Sequence, residues 1–185
     1  MLITVSGYDR AGKDTVYKSI EGIKDKLPFK NIIRAAHADW LKEIGQRVYG
    51  THEEMKGTPA EDYYRMSLTK TSEVAKMVSG NDQYFAEFLF NKYRGPMMAD
   101  DELVVCTDGR YIDEVAYYEE RFEDYGCSEF FIPVIVTRPS IPPTSYAARE
   151  HNFMDFEGYK MGFTNDTGLL LYVIAIQEWA LETFK

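Results

Sequence analysis

A short apolar stretch, Leu2-Ile3-Thr4-Val5-Ser6, runs straight into Gly7-Tyr8-Asp9-Arg10-Ala11-Gly12-Lys13-Asp14-Thr15. No other feature restricts the possible folds as much. A buried strand, a glycine-bounded loop and then a helix is the context in which backbone N–H groups can close on phosphate oxygens. Gly7 and Gly12 let the backbone approach, the helix start adds its dipole, and Lys13 reaches the outer phosphates. Asp14 stands where the usual hydroxyl residue follows the lysine, with Thr15 one place later. Asp14 either repels the phosphates or organises a hydrated magnesium ion, and Thr15 is the hydroxyl expected to face the metal–phosphate cluster.

Beyond the loop, strand-like apolar runs alternate with helical stretches, the pattern of an α/β fold with a parallel sheet. Strands are expected over 2–6, 31–37, 103–107, 130–137 and, more weakly, 159–164. Pro133 cannot donate to a ladder, which places the start of the fourth run at an edge or a bulge. The first helix is expected over 13–26, and a last helix over 169–184, apolar on most of its circumference, should be well buried. Two segments interrupt the alternation. Residues 40–98 read as several helices, best defined over 60–78 and 82–93, far more than a crossover needs. Residues 138–158 carry Pro139, Pro142 and Pro143 with little periodicity, the character of a functional loop. The 185 residues fit one domain with these two insertions.

The net charge of −9 argues against a duplex-binding surface, which needs clustered cations. A few converging arginines still suffice to bind a small phosphorylated ligand. No run of eighteen apolar residues predicts a membrane span, and the start of the chain lacks the pattern of a signal peptide, so a cytoplasmic protein is expected. Cys106 lies in an apolar run and reads as a buried structural thiol; neither it nor Cys127 has a histidine at zinc spacing. His37, His52 and His151 receive no role. The acidic residues between 113 and 129 read as a solvated helix face. Asp108, closing an apolar strand, fits the carboxylate that helps hold magnesium beside a phosphate loop.

Several segments together resemble the deoxynucleoside monophosphate kinases of tailed bacteriophages. These are Lys13-Asp14-Thr15 behind the glycine loop, Ala38-Asp39-Trp40-Leu41-Lys42, Arg65-Met66-Ser67-Leu68, Asp108-Gly109-Arg110 with Glu114, Val136-Thr137-Arg138-Pro139, and Thr164-Asn165-Asp166. The resemblance implies an adenylate-kinase-like P-loop NTPase fold. Its five-stranded parallel sheet would be flanked by helices, with a helical substrate-binding insertion over about 40–98 and a lid over about 138–158. It further implies ATP-dependent phosphorylation of a (deoxy)nucleoside monophosphate with Mg2+, in the host cytoplasm if the protein is viral. A homodimer is compatible with it.

By the same resemblance, Gly7, Gly12, Lys13, Asp14, Thr15, Arg138, Asn165 and Asp166 would bind ATP. Arg10, Lys42, Arg65, Arg110 and Glu114 would hold the monophosphate, and Arg149 would belong to the lid. Lys13, Arg110 and Asp108 would serve the transfer, with Thr15 and Asp108 near the metal, the latter directly or through water. Thr71-Ser72-Glu73 and Tyr84-Phe85 depart from the family's Gly-Thr-Asp and Trp at the nucleoside pocket. A kinase of the dephospho-coenzyme A or phosphomevalonate type, or a P-loop protein without turnover, remains an alternative.

Overall fold

The apolar runs at 2–6, 31–35 and 102–109 pair side by side in the computed structural model, which describes residues 1–109, 111–141, 153–154, 156–166 and 168–185. In chain order the elements are β1 (Leu2–Ser6), α1 (Lys13–Glu21), β2 (Asn31–Ala35), α2 (Ala38–Tyr49), α3 (Glu61–Ser79) and α4 (Tyr84–Met97). They continue with β3 (Glu102–Gly109), α5 (Ile112–Asp124), β4 (Phe131–Thr137), β5 (Met161–Thr164) and α6 (Leu169–Thr183). The sheet order is β2-β3-β1-β4-β5, and every pairing is parallel. β1 therefore lies at the centre, which is why all five of its residues are buried.

Side chains alternate across the sheet with the period of two that a strand imposes. Ile3, Val5, Leu103, Val105, Val134 and Val136 face one core with Val16 and Ile20 of α1 and Tyr172 and Ile176 of α6. Leu2, Val104 and Cys106 face the other, with Phe90 of α4 and Val115, Tyr118 and Phe122 of α5. Each fully buried aliphatic or aromatic side chain contributes about 1.5–3 kcal/mol. Cys106 is a buried thiol, as its apolar run implies. Among the described residues no helix is long and apolar enough to cross a membrane.

Three sequence expectations need correction. Pro133 belongs to β4, which lies between β1 and β5 and so is no edge strand. The proline is tolerated because its carbonyl accepts from Lys160, on the β5 side, just before β5 begins pairing at Met161. In a parallel ladder a residue's N–H and C=O point to the same neighbour, so the missing donor falls where no strand yet runs. α1 ends at Glu21, capped at Gly22, and a separate 3-10 turn covers Lys24–Lys26. α6 buries only a narrow stripe, Tyr172, Ile176 and Ala180, while Leu169, Leu170, Leu171 and Ile174 stay exposed. An apolar composition all round did not translate into burial all round.

Candidate functional site

Parallel sheets gather their loops at the carboxyl ends of the strands, and here those ends bring together the loop after β1, the start of α2 and the end of β3. The loop after β1 turns with Arg10 at φ 64°, its only non-glycine left-handed residue among those described, and Gly12 at φ 106°. A Cβ on Gly7 would stand 2.4 Å from the Val136 carbonyl oxygen, and one on Gly12 would stand 2.6 Å from Asn165 Nδ2. Both positions exclude a side chain on steric grounds. Gly12 is the N-cap of α1 and offers no side chain to the first turn, where the Thr15 N–H donates to the Gly12 carbonyl at 3.0 Å.

Lys13 Nζ lies 2.7 Å from the Gly7 carbonyl and 2.8 Å from that of Tyr8, folded along the rim of the loop. Asn165 and Tyr172 brace the loop from below: Asn165 Nδ2 donates to the Ala11 carbonyl (2.9 Å) and the Tyr172 hydroxyl to that of Gly12 (3.1 Å). Asp166 instead accepts from the backbone N–H and the hydroxyl of Ser140. Arg138 approaches the loop from β4, its Nη1 3.5 Å from the Arg10 carbonyl. Tyr8 packs edge-on against Phe153, 5.1 Å between ring centres.

On α1, Thr15 is half-buried in the first turn, and the exposed Asp14 accepts from the Thr107 hydroxyl (2.9 Å) and from Arg34 (3.3 Å). The β1–β3 register slips between Thr4 and Ser6, giving β3 one residue more than β1. Such an extra residue re-aims side chains. At this place Thr107 meets Asp14, while the Asp108 carboxylate accepts from the backbone N–H groups of His37 and Ala38, each at 2.8 Å. Asp108 thereby caps the start of α2 and remains 12% exposed.

Beside the loop opens a cleft of about 350 Å³ between α2, α3 and the end of β3. Asp9 and Arg10 belong to both the loop and the cleft wall. Arg65, Lys42 and Lys56 supply its cations, and Tyr64, Phe85 and Tyr111 its aromatic surface. Arg65 Nη2 lies 3.0 Å from Asp9 and 2.7 Å from Glu61. Lys42 lies 2.9 Å from Glu53. Burial works against the Lys42 ammonium, but the hydrogen bond to Glu53 and the charges of Glu53 and Asp39 outweigh it and raise its pKa. Burial likewise opposes the Arg65 guanidinium, and Glu61 and Asp9 more than compensate.

His37 is the residue that the sequence reading passed over. It lies just after β2, at the N-cap of α2, is buried, and lines the cleft. Its Nε2 is 2.7 Å from the Tyr118 hydroxyl, and its Nδ1 is 3.3 Å from Asp108 Oδ1 and 3.6 Å from Glu114 Oε2. Burial opposes the imidazolium, while Cys106, Glu114, Tyr118 and Asp108 together hold its pKa well above the ordinary histidine value. Burial in turn pushes the Cys106 thiol and the Tyr118 hydroxyl up. Nδ1 of His37, Sγ of Cys106 and a carboxylate oxygen of Asp108 lie within 4.8 Å of one another, a set of metal-ligand types. The thiol donates to Asp108 (3.4 Å) and Asp108 accepts from the His37 N–H, which makes the cluster a closed hydrogen-bond network as it stands.

The site therefore gathers Gly7, Gly12, Lys13, Asp14, Thr15, Asn165 and Arg138 at the loop, and Arg10, Lys42, Arg65, Asp108 and Glu114 around the cleft. Glu114 departs from the solvated acidic face expected for α5, being buried and accepting from the Tyr111 N–H at 3.3 Å. Asp166 is tied to Ser140 instead of to the loop. Arg110 and Arg149 lie outside the described residues, as does most of the expected lid, residues 142–152 and 155.

No family model matches the sequence, and no curated protein does. Among solved structures, a thymidylate kinase from Ehrlichia chaffeensis aligns over 100% of this chain and 98% of its own, with 15% identity and a TM-score of 0.55. A shikimate kinase from Aquifex aeolicus aligns over 98% and 96%, with 13% identity and a TM-score of 0.48. At such identities the likeness concerns architecture. With the five-stranded parallel sheet and the glycine loop behind β1, the chain has the α/β P-loop NTPase fold.

Proposed function

We propose that the protein is a phosphotransferase that moves the γ-phosphoryl group of ATP to a (deoxy)nucleoside monophosphate. The observation that carries this reading is the cleft that shares Asp9 and Arg10 with the phosphate loop and is lined by Lys42, Lys56 and Arg65 as well as by Tyr64, Phe85 and Tyr111. A protein that only senses ATP has no need of a second cleft, about 350 Å³ in size and holding arginine and lysine side chains, beside its loop. An acceptor phosphate is already a nucleophile, so the chain need only position it, neutralise charge and exclude water.

In this reading Gly7, Gly12 and the first turn of α1 hold the ATP phosphates through backbone N–H groups. Lys13 turns from the loop carbonyls to the β- and γ-phosphates. Arg65 and Lys42, with Arg10 at the rim, take the acceptor phosphate, and Tyr64, Phe85 and Tyr111 offer apolar surface to the nucleoside. Arg110, Arg138 and Arg149 keep the roles that the resemblance gives them, and closure of 138–158 would shield the transfer from water.

The oxygen donors present suit a hard cation: the Thr15 hydroxyl in the first turn of α1, and Asp108 through water, since its oxygens already accept two N–H groups. Bound there with ATP, Mg2+ would neutralise charge on the phosphates. Incubating the purified protein with ATP, Mg2+ and a panel of nucleoside monophosphates, while following ADP, tests the proposal. ADP release that depends on one or more monophosphates is expected. ADP release indifferent to all of them, or stimulated only by other phosphorylated acceptors, would overturn it.

A further inference from the structure

The floor of the cleft is built around one imidazole. His37 contributes its backbone N–H to Asp108 at 2.8 Å, and its ring returns to the same carboxylate oxygen at 3.3 Å. The same Nδ1 faces Glu114 at 3.6 Å, and Nε2 meets the Tyr118 hydroxyl at 2.7 Å. Glu114 and Tyr118 are four residues apart and so share one face of α5. The His37 and Tyr118 rings are nearly parallel, 15° apart. One side chain thus ties the start of α2, the end of β3 and the first turns of α5. Asp108 and Glu114 line the cleft, whereas Tyr118 is fully buried behind His37 and does not.

A core plug would serve more cheaply as an apolar side chain, because burying charged groups costs free energy that their mutual attraction seldom returns in full. The polar network is explained if the two carboxylates must be held in fixed orientations at the cleft.

We propose that His37 is a positioning residue for the acceptor half of the site. Its ring fixes Asp108 and Glu114 and, through Asp108, the start of α2 on which Lys42 stands. This rests on the reading of the cleft as the acceptor site. Asp108 would meet ATP only through the hydrated metal, so metal-free ATP binding at the glycine loop does not pass through His37.

The test compares His37→Leu, His37→Asn and Tyr118→Phe in the full chain, each checked for folding by thermal unfolding. His37→Leu fills the space without a donor and should raise the acceptor KM at least about tenfold, the usual scale for losing a hydrogen bond to a charged group. ATP affinity measured without acceptor and without Mg2+ should change less than about twofold. His37→Asn keeps a donor near the Nδ1 position and should recover most of the loss. Tyr118→Phe removes only the hydroxyl behind the ring. Because Tyr118 does not touch the cleft, its expected rise in acceptor KM of about threefold must travel through His37, and it should vanish in a His37→Leu background.

Unchanged acceptor KM in folded His37→Leu, or equal losses of metal-free ATP binding and acceptor binding, would overturn the proposal. Should the leucine variant not fold, an unchanged acceptor KM in Tyr118→Phe would do the same. A wild-type protein that turns over no monophosphate would instead sink the functional reading on which the proposal stands.

Discussion

Arg65 reaches from α3 across the mouth of the cleft and places Nη2 3.0 Å from the Asp9 carboxylate of the phosphate loop. Glu61, one turn earlier on the same helix, holds the same nitrogen at 2.7 Å. The arginine is thus aimed at the seam between the loop and the cleft. Charge-assisted hydrogen bonds to an anion are worth about 1.5–3 kcal/mol, or about ten- to a hundredfold in binding. Arg65→Ala should raise the acceptor KM or lower kcat by that factor and change ATP affinity without acceptor by less than about threefold. A tenfold loss of ATP affinity with the acceptor KM unmoved would assign Arg65 to the wrong substrate.

Lys13 donates to two loop carbonyls, Gly7 and Tyr8, and belongs to neither core cluster. Lys13→Ala should therefore abolish transfer, by at least about a hundredfold, while the melting temperature shifts by only a few degrees. Near-normal turnover in the folded variant would remove the loop from the mechanism.

Gly12→Ala tests the cradle through the backbone. The residue sits at φ 106°, and the new methyl would press on Asn165 and Tyr172, the two side chains that brace the loop. Strain of this kind costs about 1–3 kcal/mol, and the loop must shift to relieve it. Titration with an ATP analogue should show affinity reduced at least about tenfold, with a lower melting temperature. Retained affinity would mean that the loop does not need its present shape.

The parts of the fold that could be read from the sequence are those fixed by neighbours in the chain. β1, the glycine loop and α1 form one local unit, and the helices over 61–79 and 84–97 follow from their own pattern. Arg65 could be placed on its helix, but its Asp9 partner lies 56 positions away and is set by packing. His37 gave no signal because Cys106, Asp108 and Tyr118 reach it from 69, 71 and 81 residues along the chain. Pro133 misled because the rule against interior prolines concerns a donor that must pair, and its site on β4 needs none.

α6 was expected to be buried on most sides, and its actual exposure gives a sharp contrast. Ile176 is fully buried in the core with Val16, Ile20 and Val134, whereas Leu170 is 72% exposed. Ile176→Ala leaves a cavity and should cost about 2–5 kcal/mol. Leu170→Ala should stay within about 0.5 kcal/mol. Urea unfolding measures both. A cost for Leu170→Ala near that of Ile176→Ala would show that the exposed face of α6 is covered in solution.

The last prediction concerns Glu53, the partner of the cleft residue Lys42. Glu53 accepts a hydrogen bond from Lys42, which, helped by Lys56 and opposed by partial burial, lowers its pKa from 4.5 to about 2. A carboxylate with a depressed folded pKa adds stability that is fully present above its unfolded value. The contribution here is thus present above about pH 4.5 and is lost as the pH falls toward about 2. The side chain is 56% exposed, so water and salt screen the pair and the stability involved is small. The titration itself is the better readout. Following the Glu53 carboxyl by NMR should give a midpoint well below that of an ordinary glutamate, and Lys42→Gln should bring it back toward 4.5. If Lys42 binds the acceptor phosphate, saturating monophosphate should also draw the lysine off and raise the Glu53 midpoint. A Glu53 midpoint that is ordinary in the wild type, or unmoved by Lys42→Gln, would show that the two side chains are not paired in solution.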